Sequence, residues 1–319
     1  MWSLLGLYFI CAARAATAPS ASCEEASGTC WKSATLAEEV RETGLSMVQR
    51  GRVRQRAKKP WETLRFTAVA YHKSGVFLMQ ELQNFIFGVL GAPDSAIGKW
   101  QQPCFNEIIY NEEWCKHHDA PIRTLVDIYG PDLDKLERAA AGPNGMRVAG
   151  SVRDPLAMVA SAYCYHHRGE ELGYPALWPP GAVITMGPEE GVKFVAERMF
   201  TTVQNMTEIF ANPAEDTIRL SFEKFANSSE SFDHEAARLV DFWLGDFVSD
   251  FERSQMLESA KQADLHRNAD ELKNKSQAIS THSNSEDCEV KALEATKRLP
   301  PELLAQYRTF QTRLGYKAD

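Results

Sequence analysis

Leu64 to Ala70 reads Leu-Arg-Phe-Thr-Ala-Val-Ala, and a polar turn, Tyr71-His72-Lys73-Ser74-Gly75-Val76, follows at once. The apolar spacing then changes. Phe77, Leu78, Leu82, Phe85, Ile86 and Val89 recur at helical intervals up to Leu90. A buried-strand pattern, a tight turn and an amphipathic helix make a βα unit. Strand patterns return at Ile122–Ile128, Met146–Val152 and Thr217–Phe222. Helical patterns lie between and after them. Pro131 opens one helix and Gly142 closes it. Asp154 and Pro155 read as N-cap and first residue of another, reaching Arg168. Glu189–Phe210, Ser228–Leu244 (capped by Ser228 or Ser229) and Pro300–Leu314, ending at Gly315, are the rest. Residues 91–120, 169–188 and 264–288 lack periodicity and read as loops. Strands alternating with helices predict an α/β fold of three layers, a central parallel sheet flanked by helices.

The composition fits such a core. The chain has 319 residues, 44% hydrophobic and 24% charged, which is globular rather than disordered. The net charge of −8 argues against a general nucleic-acid binder, since phosphate neutralisation needs clustered positive charge. Any anion site must be local. No apolar run approaches the roughly 20 residues of a membrane span.

Residues 1–15 read as a signal peptide, with an apolar stretch from Trp2 to Ala13 and small residues at Ala13 and Ala15. Residues 16–60 form a polar stem that turns basic through Arg50, Arg52, Arg54, Arg56, Lys58 and Lys59. Residues 61–319 form the folded domain. Cys11 leaves with the signal, and the six remaining cysteines suggest disulfides in an oxidising compartment. Cys23–Cys30 and Cys104–Cys115 are the expected local pairs. Sequons stand at Asn205, Asn227 and Asn274. The expected localisation is the secretory pathway, in the Golgi lumen or secreted.

Two segments carry chemistry. The first is the 72–75 turn. In a parallel sheet it sits at the carboxyl end of a strand, where ligands bind. The helix behind it offers unpaired N–H groups and a positive dipole end. Gly75 permits close backbone approach, Lys73 adds charge and Ser74 a hydroxyl. GxxxxGK[ST] is absent, so this is not a Walker A loop. The second segment is Val148 to His167, VAGSVRDPLAMVASAYCYHH. Arg153 ends a strand, Asp154-Pro155 starts a helix, and Ser161 follows Arg153 by eight residues, about two turns. A guanidinium fork and a hydroxyl near a helix start suit a second anion.

Together these segments resemble the sulfotransferase superfamily, which uses 3′-phosphoadenosine 5′-phosphosulfate (PAPS). The likeness runs over roughly residues 64–226 and takes in Ile218 to Phe225. The C-terminal LPPELLAQYRTFQTRLGY looks like the family's closing helix. The resemblance implies a P-loop-NTPase-like sulfotransferase architecture with PAPS as co-substrate and no metal. It implies that His72, Lys73, Ser74, Gly75, Val76 and Phe77 hold the 5′-phosphosulfate, and that Arg153 and Ser161 hold the 3′-phosphate. Lys73 would stabilise charge on the leaving oxygen. The expected acceptor is a hydroxyl, on a glycan or another molecule of the secretory pathway, with no nucleic acid and no membrane required.

The resemblance breaks at the family's catalytic His. Val126-Asp127-Ile128-Tyr129-Gly130-Pro131 holds none, and Asp127 or Tyr129 stands in its approximate place. Asp127, His72, Glu81 and Glu112 are the candidate bases, and Asp127 is the expected catalytic residue beside Lys73. The family's late Arg-Lys-Gly segment is also missing. Arg267, Lys273, Lys275 or His282 could replace it. Cys115-Lys116-His117-His118 and Cys164-Tyr165-His166-His167 have zinc-like composition, though oxidised cysteines compete with that reading. Tyr174 and Trp178 could line an acceptor site or pack onto the core. The alternatives are a non-catalytic nucleotide- or glycan-binding protein on this fold, and a nucleotide-dependent kinase.

Overall fold

The computed structural model describes residues 58–101, 117, 119–169, 178–179, 181–268 and 284–318. The expected signal peptide, nearly all of the stem, Cys23, Cys30, Cys104, Cys115, Glu112, Tyr174, Lys273, Asn274, Lys275 and His282 lie outside these residues.

Five parallel strands form one sheet: β1 (Arg65–Ala70), β2 (Ile97–Gln101), β3 (Ile122–Val126), β4 (Met146–Val152) and β5 (Thr217–Ser221). Their order is β2-β3-β1-β4-β5, so β1 is central. From β1 the chain runs to edge strand β2, returns to β3 between them, and then crosses to the other side of β1 for β4 and β5. Open α/β sheets bind ligands at the carboxyl ends of the strands beside such a reversal, here β1, β3 and β4.

The helices are α1 (Val76–Val89), α2 (Pro131–Ala141), α3 (Pro155–His167), α4 (Pro188–Phe210), α5 (Phe222–Asn227), α6 (Ser229–Leu244), α7 (Asp250–Ala260), α8 (Glu286–Thr296) and α9 (Pro301–Arg313). Successive side chains of β1 point to opposite faces. Phe66, Ala68 and Ala70 join a core with α1, α6 and α7. Val69 and Tyr71 join the other, with α3, α4, α8 and α9. On that second face a Cβ at Gly150 of β4 would lie 2.0 Å from the Phe210 ring. Glycine there lets α4 dock against the strand. The three-layer α/β fold with a central parallel sheet is the expected one.

Three expectations need correction. The 91–120 loop contains edge strand β2, where a Cβ at Gly98 would meet the His117 carbonyl at 1.8 Å. The expected 264–288 loop ends in α8, which begins at Glu286. Helix α7, in a stretch without assigned structure, has a capping box between Ser249 and Glu252. The Asn205 sequon lies within α4, with Asn205 against Gly130 and Thr207 buried. Asn227 is exposed. Among the described residues no helix is long and apolar enough to cross a membrane.

Candidate functional site

The turn after β1 is held from both neighbouring strands. The Ser74 N–H donates to the Tyr71 carbonyl at 2.8 Å, and the Tyr71 N–H donates to Ser74 Oγ at 2.8 Å. Ser74 is fully buried, so its hydroxyl shapes the turn. From the β3 side, Asp127 Oδ1 accepts the His72 N–H. From the β4 side, Ser151 Oγ donates to the Ser74 carbonyl.

Lys73 and Gly75 both have left-handed backbone, φ 66° and 99°. Gly75 begins α1 without a side-chain cap. The first N–H groups of a helix have no intrahelical acceptor, so this end of α1 presents amide hydrogens and a positive dipole end. A Cβ at Gly75 would sit 2.9 Å from the Phe222 ring and 3.2 Å from Ser151 Oγ. The turn thus presents the helix amides as donors, while the Ser74 hydroxyl, expected to face an anion, is buried and bonded within the turn.

Arg153 joins the two sequence segments. Its Nη1 donates to the Lys73 carbonyl at 3.0 Å, and its guanidinium lies 4.8 Å from the Phe222 ring centre. Burial pulls its pKa below the ordinary arginine value, while Glu289, Glu223 and Asp154 pull it back. An arginine remains protonated throughout. Asp154 is the N-cap expected, its Oδ1 accepting from the amides of Leu156 and Ala157 at 2.9 Å. Glu223 accepts the Asp154 N–H at 2.8 Å and the Tyr316 hydroxyl at 2.9 Å.

Ser161 sits two turns into α3 and is buried. Its Oγ accepts from Asn284 Nδ2 at 3.0 Å, and its carbonyl accepts from the same amide at 3.1 Å. That amide also donates to Glu289 Oε1 at 3.0 Å. A disulfide, Cys164–Cys288, ties α3 to α8 beside this contact. It commits Cys164, so the zinc reading of 164–167 does not stand.

Two histidines meet beside the turn. His72 Nε2 and His166 Nε2 are 2.9 Å apart, so one ring donates and the other accepts. Trp178 is buried edge-on to both rings, at 6.0 Å and 4.8 Å between centres, which makes it packing for the pair. The Lys73 ammonium lies 3.8 Å from the Tyr165 ring centre and Arg168 5.5 Å from it, both within cation–π range. Glu81, on α1, is half-buried, and burial raises its pKa. Arg267 is ion-paired with Asp233 and Asp264.

The fold thus brings Lys73, Ser74, Gly75, Asp127 and Arg153 into one hydrogen-bonded unit. Sequence reasoning missed Asn284, Glu289 and the partnership of His166. The long separation of 284–289 from Ser161 gave no signal. His166 stood in a quoted motif, but only the fold shows its partner.

No protein-family model matches the chain, and no curated protein matches it. Among solved structures, it is similar to a mouse sulfotransferase, SULT7A1, complexed with PAP. The TM-score is 0.36 and the identity 11%, over 79% of this chain and 84% of that chain.

Proposed function

We propose that this chain transfers a sulfuryl group from PAPS to an acceptor hydroxyl, on a glycan or another molecule of the secretory pathway. One observation carries the reading. The Arg153–Lys73 bond draws two anion-suited segments, 80 residues apart, to the carboxyl ends of adjacent strands β1 and β4. The Cys164–Cys288 disulfide supports an oxidising compartment, the Golgi lumen or outside the cell.

When bound, PAPS supplies an activated sulfuryl group, and its transfer breaks the S–O bond to the 5′-phosphate and leaves adenosine 3′,5′-bisphosphate. The amides at the start of α1, from Val76 and Phe77 onward, bind the 5′-phosphate. Lys73 faces the charge that develops on the leaving oxygen. Arg153 and Ser161 hold the 3′-phosphate and so select this nucleotide over ATP. The acceptor's proton goes to a group at the β1–β3 strand ends, where Asp127 and the His72–His166 pair lie together.

The test is a thermal shift with adenosine 3′,5′-bisphosphate, on wild type and Arg153→Ala, with ATP–magnesium as control. Ligand at 100 times its Kd adds about 2.7 kcal/mol. The expected result is a shift with the bisphosphate that Arg153→Ala abolishes. A larger shift with ATP–magnesium, or none with the bisphosphate, refutes the assignment. In a binding protein, the shift would occur without sulfuryl transfer.

A further inference from the structure

Glu289 is an acid where the proposed reading needs a cation-lined pocket. It stands in the first turn of α8, next to Cys288, and the disulfide to Cys164 fixes that turn against α3. Asn284 fixes it again, since one side-chain amide bridges the Ser161 hydroxyl, the Ser161 carbonyl and Glu289 Oε1. Asn284 Oδ1 is itself buried, with no hydrogen-bond partner among the described residues. The charges of Glu289, Glu223 and Asp154 all act on the buried Arg153. Glu223 and Asp154 already have other partners. Glu223 accepts from Asp154, Ser221 and Tyr316. Asp154 caps α3 and accepts from Gln311. Glu289 is therefore the acid held beside Ser161, one Asn284 side chain away from its hydroxyl.

We propose that Glu289 is a specificity-determining residue that, held on Asn284, opposes a ligand's phosphate at the Ser161 hydroxyl. This rests on the reading that Arg153 and Ser161 hold the 3′-phosphate. A phosphate entering there meets a carboxylate anchored through Asn284 and the neighbouring disulfide. It must displace that carboxylate, or share the site against like-charge repulsion. The competition discriminates against weak anions and selects ligands with enough additional contacts, such as a nucleotide anchored also at the α1 turn.

The experiment is calorimetric titration of the full chain with adenosine 3′,5′-bisphosphate and, separately, adenosine 5′-monophosphate, which lacks the 3′-phosphate. The proteins are wild type, Glu289→Gln and Glu289→Ala, with urea unfolding to establish that each is folded. Both variants are expected to bind the bisphosphate about tenfold more tightly than wild type, as removal of one repulsive contact worth a factor of ten in Kd would give. Their affinity for the monophosphate stays within about twofold of wild type by the same arithmetic. Bisphosphate binding unchanged or weakened in both variants overturns the proposal. So does an equal gain for the monophosphate, which would mean a general field effect. If wild type binds the bisphosphate through Arg153 and neither variant gains, only this inference falls. If no protein binds it, the nucleotide reading falls and takes the inference with it.

Discussion

Replacing both Cys164 and Cys288 with alanine tests how much of the fold depends on one cross-link. The two cysteines are 124 residues apart in sequence, and the bond joins α3 to α8. In the chain-entropy description, closing a loop of that size removes about 16 cal/mol/K from the unfolded ensemble, or about 5 kcal/mol at 25 °C. Measured losses for such bonds run from about 2 to 5 kcal/mol. That range is a large fraction of the about 5–15 kcal/mol by which domains are stable. The assay is urea unfolding followed by tryptophan fluorescence. Trp178 and Trp243 are buried on opposite faces of the sheet, so the signal reports both cores. The double variant should lose about 2–5 kcal/mol and show a larger urea dependence, because its unfolded chain is less compact. Non-reducing peptide mapping of wild type should recover the Cys164 and Cys288 peptides as one linked species. A loss below about 1 kcal/mol with the peptides linked would refute the entropic argument. Unlinked peptides would refute the pairing.

Two other perturbations have signs fixed by the structure. Gly75→Ala forces an L side chain to φ 99° and sets a Cβ 2.9 Å from the Phe222 ring, so it should destabilise by about 1–3 kcal/mol in urea titration. It should also weaken bisphosphate binding, as the turn backs away from the ligand. Burial raises the Glu81 pKa in the folded chain. Its stabilising contribution is present below the unfolded carboxylate pKa and is lost as pH rises through the folded value. Glu81→Gln should therefore raise Tm near pH 7, with a gain that shrinks towards about pH 4, read by calorimetry at both values.

The central elements were legible because their signals are strong and local. The β1 run and the helical spacing after it lie within one residue of the observed β1 and α1. Met146–Val152 matches β4 residue for residue. Edge strand β2, Ile-Gly-Lys-Trp-Gln, was lost because it combines a glycine and a lysine with few apolar residues. Helix α7 has only Met256 and Ala260 buried, so its face was too narrow to register. Its Ser249–Glu252 capping box was the available cue. Helix α8 misleads in the opposite way, burying Ala292, Ala295 and Thr296 while exposing Val290 and Leu293. At the site, Lys73, Gly75 and Arg153 could be found from turn and cap chemistry. The Ser161–Asn284 contact could not, since its partners are 123 residues apart. Nor could the Cys164–Cys288 pairing, since six cysteines leave connectivity undetermined.

Helix α3 explains why distant features meet at one place. Every residue from Met158 to His166 is buried, so the helix has no solvated face on which to place a polar group. Each polar side chain must find an internal partner, because burying one unpaired costs free energy. Ser161 takes Asn284, Cys164 takes Cys288 and His166 takes His72. Ser161 and Cys164 are three residues apart and share a face, so both hold the α8 side. His166 lies about 140° around the helix from Ser161 and reaches the β1 turn instead. Arg153 precedes the helix, and Ser161 lies six residues beyond its first residue, Pro155, about 9 Å along the axis. A single phosphate contacting both must lie between the long arginine side chain and the serine. At the serine end Asn284 already takes the hydroxyl and holds Glu289 beside it. The eight-residue spacing alone therefore does not make an anion site. What decides it is whether a ligand's phosphate outcompetes the carboxylate that α8 holds there.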